Sequence, residues 1–267
     1  MTFSAASLAN LLALYDHDER FAATYPDALR EELGKVVRTV DLVGNTGSVI
    51  YSRLDELSAD DAIDEQVAYF GGRGLEFEWK AYAHDRPTDL VQRLAQHGFE
   101  LDQPEAILVI DLQAPPPGLL SIPTPHVRRI EHPDDLAAVA SINQQVCGGD
   151  ATESINRLRV EMEHDPTYVS VHVAFADGIP VSCGWTRFPK ASAFASMWGG
   201  STIPSRRGQG LYTTVLAARV REACERGARY LTVDARDTSR PILERHGFQR
   251  LTTATACTWS PDSHRPT

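Results

Sequence analysis

Ser205-Arg206-Arg207-Gly208-Gln209-Gly210-Leu211-Tyr212 is the stretch that most constrains the fold of this 267-residue chain. It lies between an apolar, strand-like run (194–203) and an amphipathic helical pattern (211–226). Two glycines allow backbone N–H groups to point into one loop, and the N-terminus of a helix adds positive partial charge. The two arginines add forked hydrogen-bond donors that carry full charge. The stretch therefore predicts a site for a ligand that contains a pyrophosphate.

Composition and charge argue against several classes of location and partner. No apolar run approaches the ~20 residues that span a bilayer, so no membrane partner is expected. The N-terminal apolar run 8–14 lacks a basic leader, so no signal peptide is expected. The four cysteines form no Cys-x-x-Cys pair, so no metal is expected, and they fit the reducing cytoplasm as the location. The formal net charge of −10 disfavours nucleic acid as a partner.

The charge is distributed unevenly along the chain. Residues 1–125 contain 9 Lys and Arg against 21 Asp and Glu, whereas residues 126–267 contain 17 against 15. A solvated acidic surface on the first half explains this difference. The alternatives are a field that attracts cationic substrates and an acidic surface for a partner.

A proline-rich segment divides the chain into two halves. Residues 113–125 contain five prolines among thirteen positions. Proline lacks the backbone N–H and fixes φ, so the segment predicts a stiff linker without a helix. The predicted organisation is an N-terminal domain over 1–112, the linker over 113–125, a second domain over 126–260 and a tail over 261–267.

The second half alternates strand and helix patterns. Strands are predicted over 127–130, 168–175, 181–188, 194–203, 230–235 and 251–259, and helices over 133–146, 152–163, 211–226 and 239–246. Gly199 and Gly200 fall inside one strand, where glycine often marks a bulge; a plain kink is the alternative. The order of elements predicts the α/β class, with a mixed, mostly antiparallel sheet that is flanked by helices.

The first half repeats the end of the second half. A strand-like run over 74–85 ends at an aspartate and precedes a helical pattern, Gly98-Phe99 and a strand over 106–112. We interpret this as a diverged internal duplication, the alternative being a chance similarity of two strand–helix–strand units. The preceding helix of the first half begins at Asp60 and Asp61, whose charges repel a pyrophosphate. Only the second half is therefore expected to bind the anionic ligand.

The loop and its surroundings resemble a known family. Arg207-Gly208-Gln209-Gly210-Leu211-Tyr212 resembles the acyl-CoA loop of the GCN5-related N-acetyltransferases (GNAT), Arg/Gln-x-x-Gly-x-Gly/Ala, with Tyr212 in place of the final small residue. Ile203-Pro204 before the loop is similar to the family's strand–proline run. Residues 239–248 are similar to its closing helix and Gly-Phe turn, and the resemblance covers 126–260.

A second stretch narrows the resemblance. Trp198-Gly199-Gly200-Ser201-Thr202-Ile203-Pro204 resembles a bacterial subgroup of tandem GNAT proteins. This resemblance implies two GNAT-like domains in tandem, of which the first is degenerate and lacks the acyl-CoA loop. It implies acetyl-CoA as the acyl donor substrate. The residues expected to hold acetyl-CoA are Ser201, Thr202, Ile203, Arg206, Arg207, Gly208, Gln209, Gly210, Leu211, Tyr212 and Ser239.

The resemblance further implies an acyl-CoA-dependent N-acyltransferase. An acetyl group would pass to a primary amine that attacks the thioester directly in a ternary complex. The acceptor would be a small-molecule or peptide amine, and the protein a monomer or a homodimer. A non-catalytic acyl-CoA-binding protein and an O-acyltransferase are the alternatives.

Three residues are candidates for the chemistry. Gly200 lies in the predicted bulge, where backbone N–H groups polarise a thioester carbonyl. Asp237 is a candidate base or a turn residue, and Ser239 is either a donor to the sulfur or pantetheine or the N-cap of its helix. The resemblance implies a tyrosine acid five residues before the phenylalanine of Gly-Phe, and this chain has Leu243 there.

Three further residues leave alternatives open. Trp198 either forms a wall of the acceptor pocket or packs in the core as a strand residue. Glu161 and Glu163, in the predicted helix 152–163, are expected on a solvated face, and the alternative places them at the mouth of the acceptor site.

Overall fold

The computed structural model of the chain describes residues 3–44, 46–149 and 151–261, so most of the predicted tail lies outside the described residues. The chain forms two compact units. The N-terminal unit contains Phe3–Ile107, Ala235–Arg240 and the described part of Arg250–Thr267. The C-terminal unit contains Leu108–Asp234 and Pro241–Gln249.

The first part of the chain alternates helices and strands up to the proline-rich segment. Its helices are α1 (Ala5–Tyr15), which continues into a π-helical turn (Asp16–Phe21), α2 (Ala59–Gly71) and α3 (Leu90–Gln96). Its strands are β1 (Ala28–Leu33), β2 (Val36–Asp41), β3 (Thr46–Ser52), β4 (Glu76–Tyr82), β5 (Glu100–Leu101) and β6 (Glu105–Asp111).

The remainder of the chain follows the predicted order of elements. Its helices are α4 (Pro117–Leu120), α5 (Ala137–Cys147, after a 3-10 turn, Pro133–Leu136), α6 (Thr152–His164), α7 (Leu211–Glu225, after a 3-10 turn, Pro204–Arg206) and α8 (Arg240–Arg245). Its strands are β7 (Val127–Ile130), β8 (Val169–Ala176), β9 (Ile179–Arg187), β10 (Phe194–Thr202), β11 (Tyr230–Ala235) and β12 (Gln249–Trp259). Within the described residues, no helix is both long and apolar enough to cross a membrane.

The C-terminal unit is built on the strand order β7-β8-β9-β10-β11. Neighbouring strands are antiparallel up to β10, and β11 pairs parallel to β10 after the crossover through α7. Asp177 and Gly178 form the turn between β8 and β9 with φ of +53° and +77°, as a tight hairpin requires. Buried apolar residues from the sheet, α5, α6 and α7 make one core, which includes Val171, Ile142 and Val215.

The N-terminal unit has the same order of connections. Its antiparallel strands β1, β2 and β3 precede α2, and β4 then pairs parallel to β3. In the C-terminal unit β8, β9 and β10 precede α7, and β11 is the parallel strand. This correspondence is what an internal duplication predicts. The α/β class with mixed, mostly antiparallel sheets flanked by helices is confirmed.

The last strand belongs to the N-terminal unit, although the predicted second domain extends to residue 260. Residues 254–259 of β12 pair antiparallel with residues 77–82 of β4. Cys257 and Trp259 are buried in the same cluster as Phe70 and Phe77. The apolar pattern of β12 predicted a strand, but a pattern within one segment does not specify which sheet edge the segment joins.

The proline-rich segment is an ordered part of the C-terminal unit and contains the helix α4. Pro117 lies in the first turn of this helix, where a missing N–H costs no hydrogen bond. Leu119 is buried, and Arg221 donates to the carbonyls of Leu120 and Ile122 at 3.2 and 2.8 Å. The expectation of a linker without a helix was therefore wrong, because prolines at a helix start are compatible with a short helix.

Replacing Trp259 by alanine tests the placement of β12. The side chain packs against Phe77, and we expect its loss to lower the free energy of unfolding by about 3–5 kcal/mol. Hydrogen exchange should accelerate in β3, β4 and α2. Leu57→Ala, at a position that is 92% exposed, is the control and should change neither quantity. Faster exchange confined to β8, β9 and β10 would contradict the placement.

Candidate functional site

A wedge opens in the sheet of the C-terminal unit between β10 and β11. Residues 194–197 of β10 pair parallel with residues 230–233 of β11. Beyond Met197 this pairing ends, whereas β10 stays paired with β9 as far as Thr202. The edge of residues 198–202 therefore faces the wedge at the carboxyl ends of two parallel strands, a place where α/β proteins bind ligands.

A bulge in β10 lies at the start of this wedge. Trp198 pairs with Trp185, and the next pair is Ser201 with Cys183. Two residues of β10, Gly199 and Gly200, therefore oppose the single Gly184 of β9, which defines a two-for-one bulge. The predicted bulge is confirmed, and beyond it the Ser182 hydroxyl donates to the Ser201 carbonyl at 2.8 Å.

Each glycine of the bulge makes room for a large side chain. A Cβ atom on Gly199, whose φ is +59°, would lie 1.8 Å from the Trp185 ring. A Cβ atom on Gly200 would lie 2.9 Å from the Tyr212 ring. Across the bulge, a Cβ atom on Gly184 would lie 2.8 Å from the Arg219 guanidinium. Backbone conformation and packing restrict position 199 to glycine, whereas a β-carbon at position 184 or 200 would force the Arg219 or Tyr212 side chain to move.

The predicted phosphate loop directly precedes α7. Gly208 and Gly210 have φ of +75° and +78°, a region in which L side chains are strained. Gly210 is the N-cap residue of α7, and among the described residues no side chain caps this helix. The first N–H groups of a helix have no partner within it, so the loop presents uncapped donors. This geometry suits a phosphate group.

The two arginines of the loop are loosely held, and Arg207 is exposed whereas Arg206 is half-buried. Arg206 forms an ion pair of 2.9 Å with Asp177, whose side chain is mostly in solvent. Arg207 donates from Nε to the Thr202 carbonyl at 3.2 Å. Exposed ion pairs contribute little free energy, so both guanidinium groups can turn toward an anion at small cost.

Asp237 and Ser239 lie in the segment Ala235–Arg240, which belongs to the N-terminal unit. The Asp237 carboxylate is 87% exposed and pairs with Arg240 at 3.3 Å. The Ser239 hydroxyl donates to the Arg236 carbonyl at 3.2 Å. These local contacts are those of turn residues, and the catalytic roles of both residues stay predictions. Leu243, at the position implied for the acid, is fully buried in α8.

The face of β9 and β10 next to α6 carries an aromatic and a charged group. Trp198 is 40% exposed, so it is not a core residue. The Arg187 guanidinium lies 5.0 Å from the centre of its ring, and Arg187 Nε donates to Glu161 Oε1 at 2.8 Å. Glu161 is buried, so its expected placement on a solvated face was wrong, because one turn of α6 faces the sheet at this point. Glu163 is exposed.

Arg219 is a feature of the site that sequence reasoning missed. It lies in the middle of α7 and is only 2% exposed. Its NH1 group donates to the carbonyls of Trp198 and Trp185, at 3.2 and 3.4 Å, on the two strands that form the bulge. An arginine in an amphipathic helix is usually on the solvated face. The only sequence feature that could have indicated its burial is the presence of glycines on the strands that it packs against.

No metal site accompanies these groups in the part of the chain that the structure describes, where no cluster of three or more His, Cys, Asp or Glu side chains is suited to a metal ion.

Comparisons with known proteins identify the fold. No protein-family model and no curated protein match the chain. Among solved structures, a GCN5-related N-acetyltransferase from Kribbella flavida is 16% identical with a TM-score of 0.66, over 97% of this chain and 96% of that chain. A GCN5-related N-acetyltransferase from Sphaerobacter thermophilus is 14% identical with a TM-score of 0.60, over 88% and 83%.

A third solved structure is similar over almost the whole chain. It is a tandem GNAT protein from the clavulanic acid biosynthesis pathway, 11% identical with a TM-score of 0.59, over 99% of this chain and 90% of that chain. The chain therefore has the fold of the GCN5-related N-acetyltransferases. The expected tandem arrangement is consistent with this structure, since each unit of the chain carries the same order of strands.

Replacing Gly199 by alanine tests the constraint at the bulge. The new Cβ would overlap the Trp185 ring and force a left-handed φ on an L residue, so we expect a loss of at least about 2 kcal/mol in the free energy of unfolding. Urea unfolding measures it. Gly118→Ala, where no described atom lies within 4 Å of the added Cβ, is the control. Equal stability of the two variants would contradict the packing described here.

Proposed function

We propose that this protein is an acyl-CoA-dependent N-acyltransferase whose C-terminal unit transfers an acetyl group from acetyl-CoA to a primary amine. The observation that carries the proposal is the combination of two features: the uncapped N-terminus of α7, and the bulged strand β10 that precedes its loop and pairs with β11 only as far as Met197. The helix end and loop suit a pyrophosphate, and the wedge suits an extended arm that carries a thioester. The GNAT fold of the chain supports this class of reaction.

The binding of acetyl-CoA would use the backbone more than the side chains. The pyrophosphate would accept hydrogen bonds from the loop 207–212, and Arg206 and Arg207 would add charge. Ile203 donates its N–H to the Val181 carbonyl on β9. Because strand amides alternate in direction, the amide of Thr202 points toward the wedge. The pantetheine would pair with this edge of β10, along Ser201, Thr202 and Ile203.

The chemistry would be direct transfer in a ternary complex. A neutral amine attacks the thioester carbon, and the backbone N–H groups at Gly200 would stabilise the negative charge that develops on the carbonyl oxygen. Asp237 as the base and Ser239 as a donor to the sulfur or the pantetheine stay part of the proposal. The exposure of the Asp237 carboxylate suits proton exchange through water. Trp198 and Arg187 would form a wall of the acceptor site.

The N-terminal unit would not bind acyl-CoA. The helix α2 occupies the place in its topology that α7 occupies in the C-terminal unit. Its first turn carries Asp60 and Asp61, and Arg93 already pairs with Asp60. Two carboxylates at a helix N-terminus favour cations and repel phosphate. This difference would make the first unit a degenerate GNAT domain.

One observation favours a second candidate function. Leu243, at the position implied for the acid, is buried and apolar, so a non-catalytic acyl-CoA-binding protein would explain its presence. Turnover separates the two functions. An assay of thiol release from acetyl-CoA with a panel of primary amines should detect release that depends on one class of amine. Tight binding of CoA without release on any amine would contradict the transferase and support the binding protein.

The double variant Arg207→Ala, Gly210→Val tests the loop. It removes a charged donor and places a branched side chain at φ of +78°, so we expect the affinity for acetyl-CoA to fall roughly 10- to 100-fold. Isothermal titration measures the affinity, and circular dichroism confirms that the fold is intact. The control is Asp60→Asn, Asp61→Asn, which alters the matching helix end of the N-terminal unit. An unchanged affinity in the loop variant would refute the assignment.

A further inference from the structure

Arg219 is a buried cation without a counter-ion. Among the residues that the structure describes, no carboxylate lies within 4.0 Å of its guanidinium, and the hydrogen bonds that it donates end on main-chain carbonyls. Burial lowers the pKa of Arg219, which is the cost of removing the charge from water. A buried charge without a partner destabilises a protein. Arg219 donates directly to a carbonyl of the bulge, so a negative charge that formed at the bulge would gain a partner in Arg219.

Tyr212 lies beside this cation at the bulge. Its ring packs against Gly200, and its hydroxyl lies 3.6 Å from the position of a Cβ atom on that glycine. Nη2 of Arg219 lies 3.6 Å from the same position, so the phenol and the guanidinium converge on one point of the bulge. Burial raises the pKa of Tyr212, so the phenol keeps its proton at neutral pH.

Tyr212 links the two ends of the proposed acyl-CoA site. Its backbone belongs to the predicted phosphate loop, and its side chain reaches the bulge, where a thioester would lie. An acyl-CoA that is bound at both ends would therefore pass this phenol on the way from its pyrophosphate to its sulfur. Alanine or glycine at position 212 would leave the space beside Gly200 empty.

We propose that Tyr212 is the general acid for the departing CoA thiolate and that Arg219 is the positioning residue that stabilises the resulting phenolate. The inference rests on the proposed function of the same site. It explains how the reaction proceeds although Leu243 is unable to donate a proton. It also gives Arg219 a negative partner, the phenolate, that exists only during turnover.

The proposed transfer moves one acyl group and one proton. The lone pair of the amine nitrogen forms the C–N bond, the C–S bond breaks, and its electron pair moves to sulfur. The phenol O–H of Tyr212 gives its proton to this sulfur and becomes a phenolate beside Arg219. The proton that the amine nitrogen loses returns through water to the phenolate. The products are an amide and a free thiol, and the enzyme is restored.

The variant Tyr212→Phe tests the acid while it keeps the ring against Gly200. We expect kcat with acetyl-CoA and the best amine to fall roughly 10²- to 10⁴-fold, with the Kd for acetyl-CoA unchanged within about twofold. Tyr230→Phe is the matched control, since Tyr230 packs against Phe194 in the same unit, and its kcat should be unchanged. The solvent isotope effect on kcat should also change in Tyr212→Phe alone.

Arg219 variants test the positioning role. Arg219→Met should lower kcat, and combining it with Tyr212→Phe should add little further loss, because the two residues act as one unit. Arg219→Lys should restore part of the kcat by keeping the charge. If the role of Arg219 is purely structural, every variant that lacks it should lose thermal stability, and the losses of kcat in Arg219→Met and Tyr212→Phe should be additive. Tyr212→Phe removes only a hydroxyl and keeps the ring against Gly200, so it decides the proposal even if Arg219→Met does not fold.

The outcomes separate this inference from the proposed function. Wild-type turnover together with full kcat in Tyr212→Phe would overturn the inference and leave the transferase standing. A Tyr212→Phe variant that loses acetyl-CoA affinity but keeps kcat would overturn the inference as well. Acetyl-CoA binding by the wild type without turnover on any amine would overturn both.

Discussion

A mismatch of one residue between β10 and β9 determines the structure of the candidate site. Because Gly199 and Gly200 oppose the single Gly184, β10 changes direction and its pairing with β11 ends. The resulting wedge exposes a strand edge directly before the N-terminus of α7. The same three glycines leave the space that the side chains of Trp185, Tyr212 and Arg219 occupy. A β-carbon at any of them would require a large side chain to move.

The two units show how one topology gives different chemistry. Both consist of an antiparallel three-strand segment, a helix and a parallel strand, yet only α7 begins with glycines and without acidic residues. The helix α2 begins with carboxylates, which oppose the partial charge that an anionic ligand needs. The N-terminal unit has its own core, which is completed by β12 from the end of the chain. Sequence divergence at a single helix start would therefore decide which unit binds acyl-CoA.

Local features of the chain were predictable from its sequence, whereas tertiary ones were not. The bulge at Gly199-Gly200 and the limits of α7 follow from residue preferences within one segment. The partner of β12 depends on a sheet edge far away in the sequence. The burial of Arg219 and Glu161 depends on what lies opposite them, which periodicity does not reveal. The short helix α4 shows that a proline-rich composition does not by itself predict a linker, because a proline in the first turn of a helix is compatible with that helix.

The most direct test of the central claim, that the bulged strand and the uncapped helix form an acyl-CoA site, is hydrogen–deuterium exchange of the full chain with and without acetyl-CoA. We expect slower exchange at amides 198–202 and 207–212 when the ligand is bound. We expect no change at residues 59–65, where α2 begins. Protection confined to the N-terminal unit, or no protection at a saturating concentration of acetyl-CoA, would show that the bulged strand and the uncapped helix do not form an acyl-CoA site.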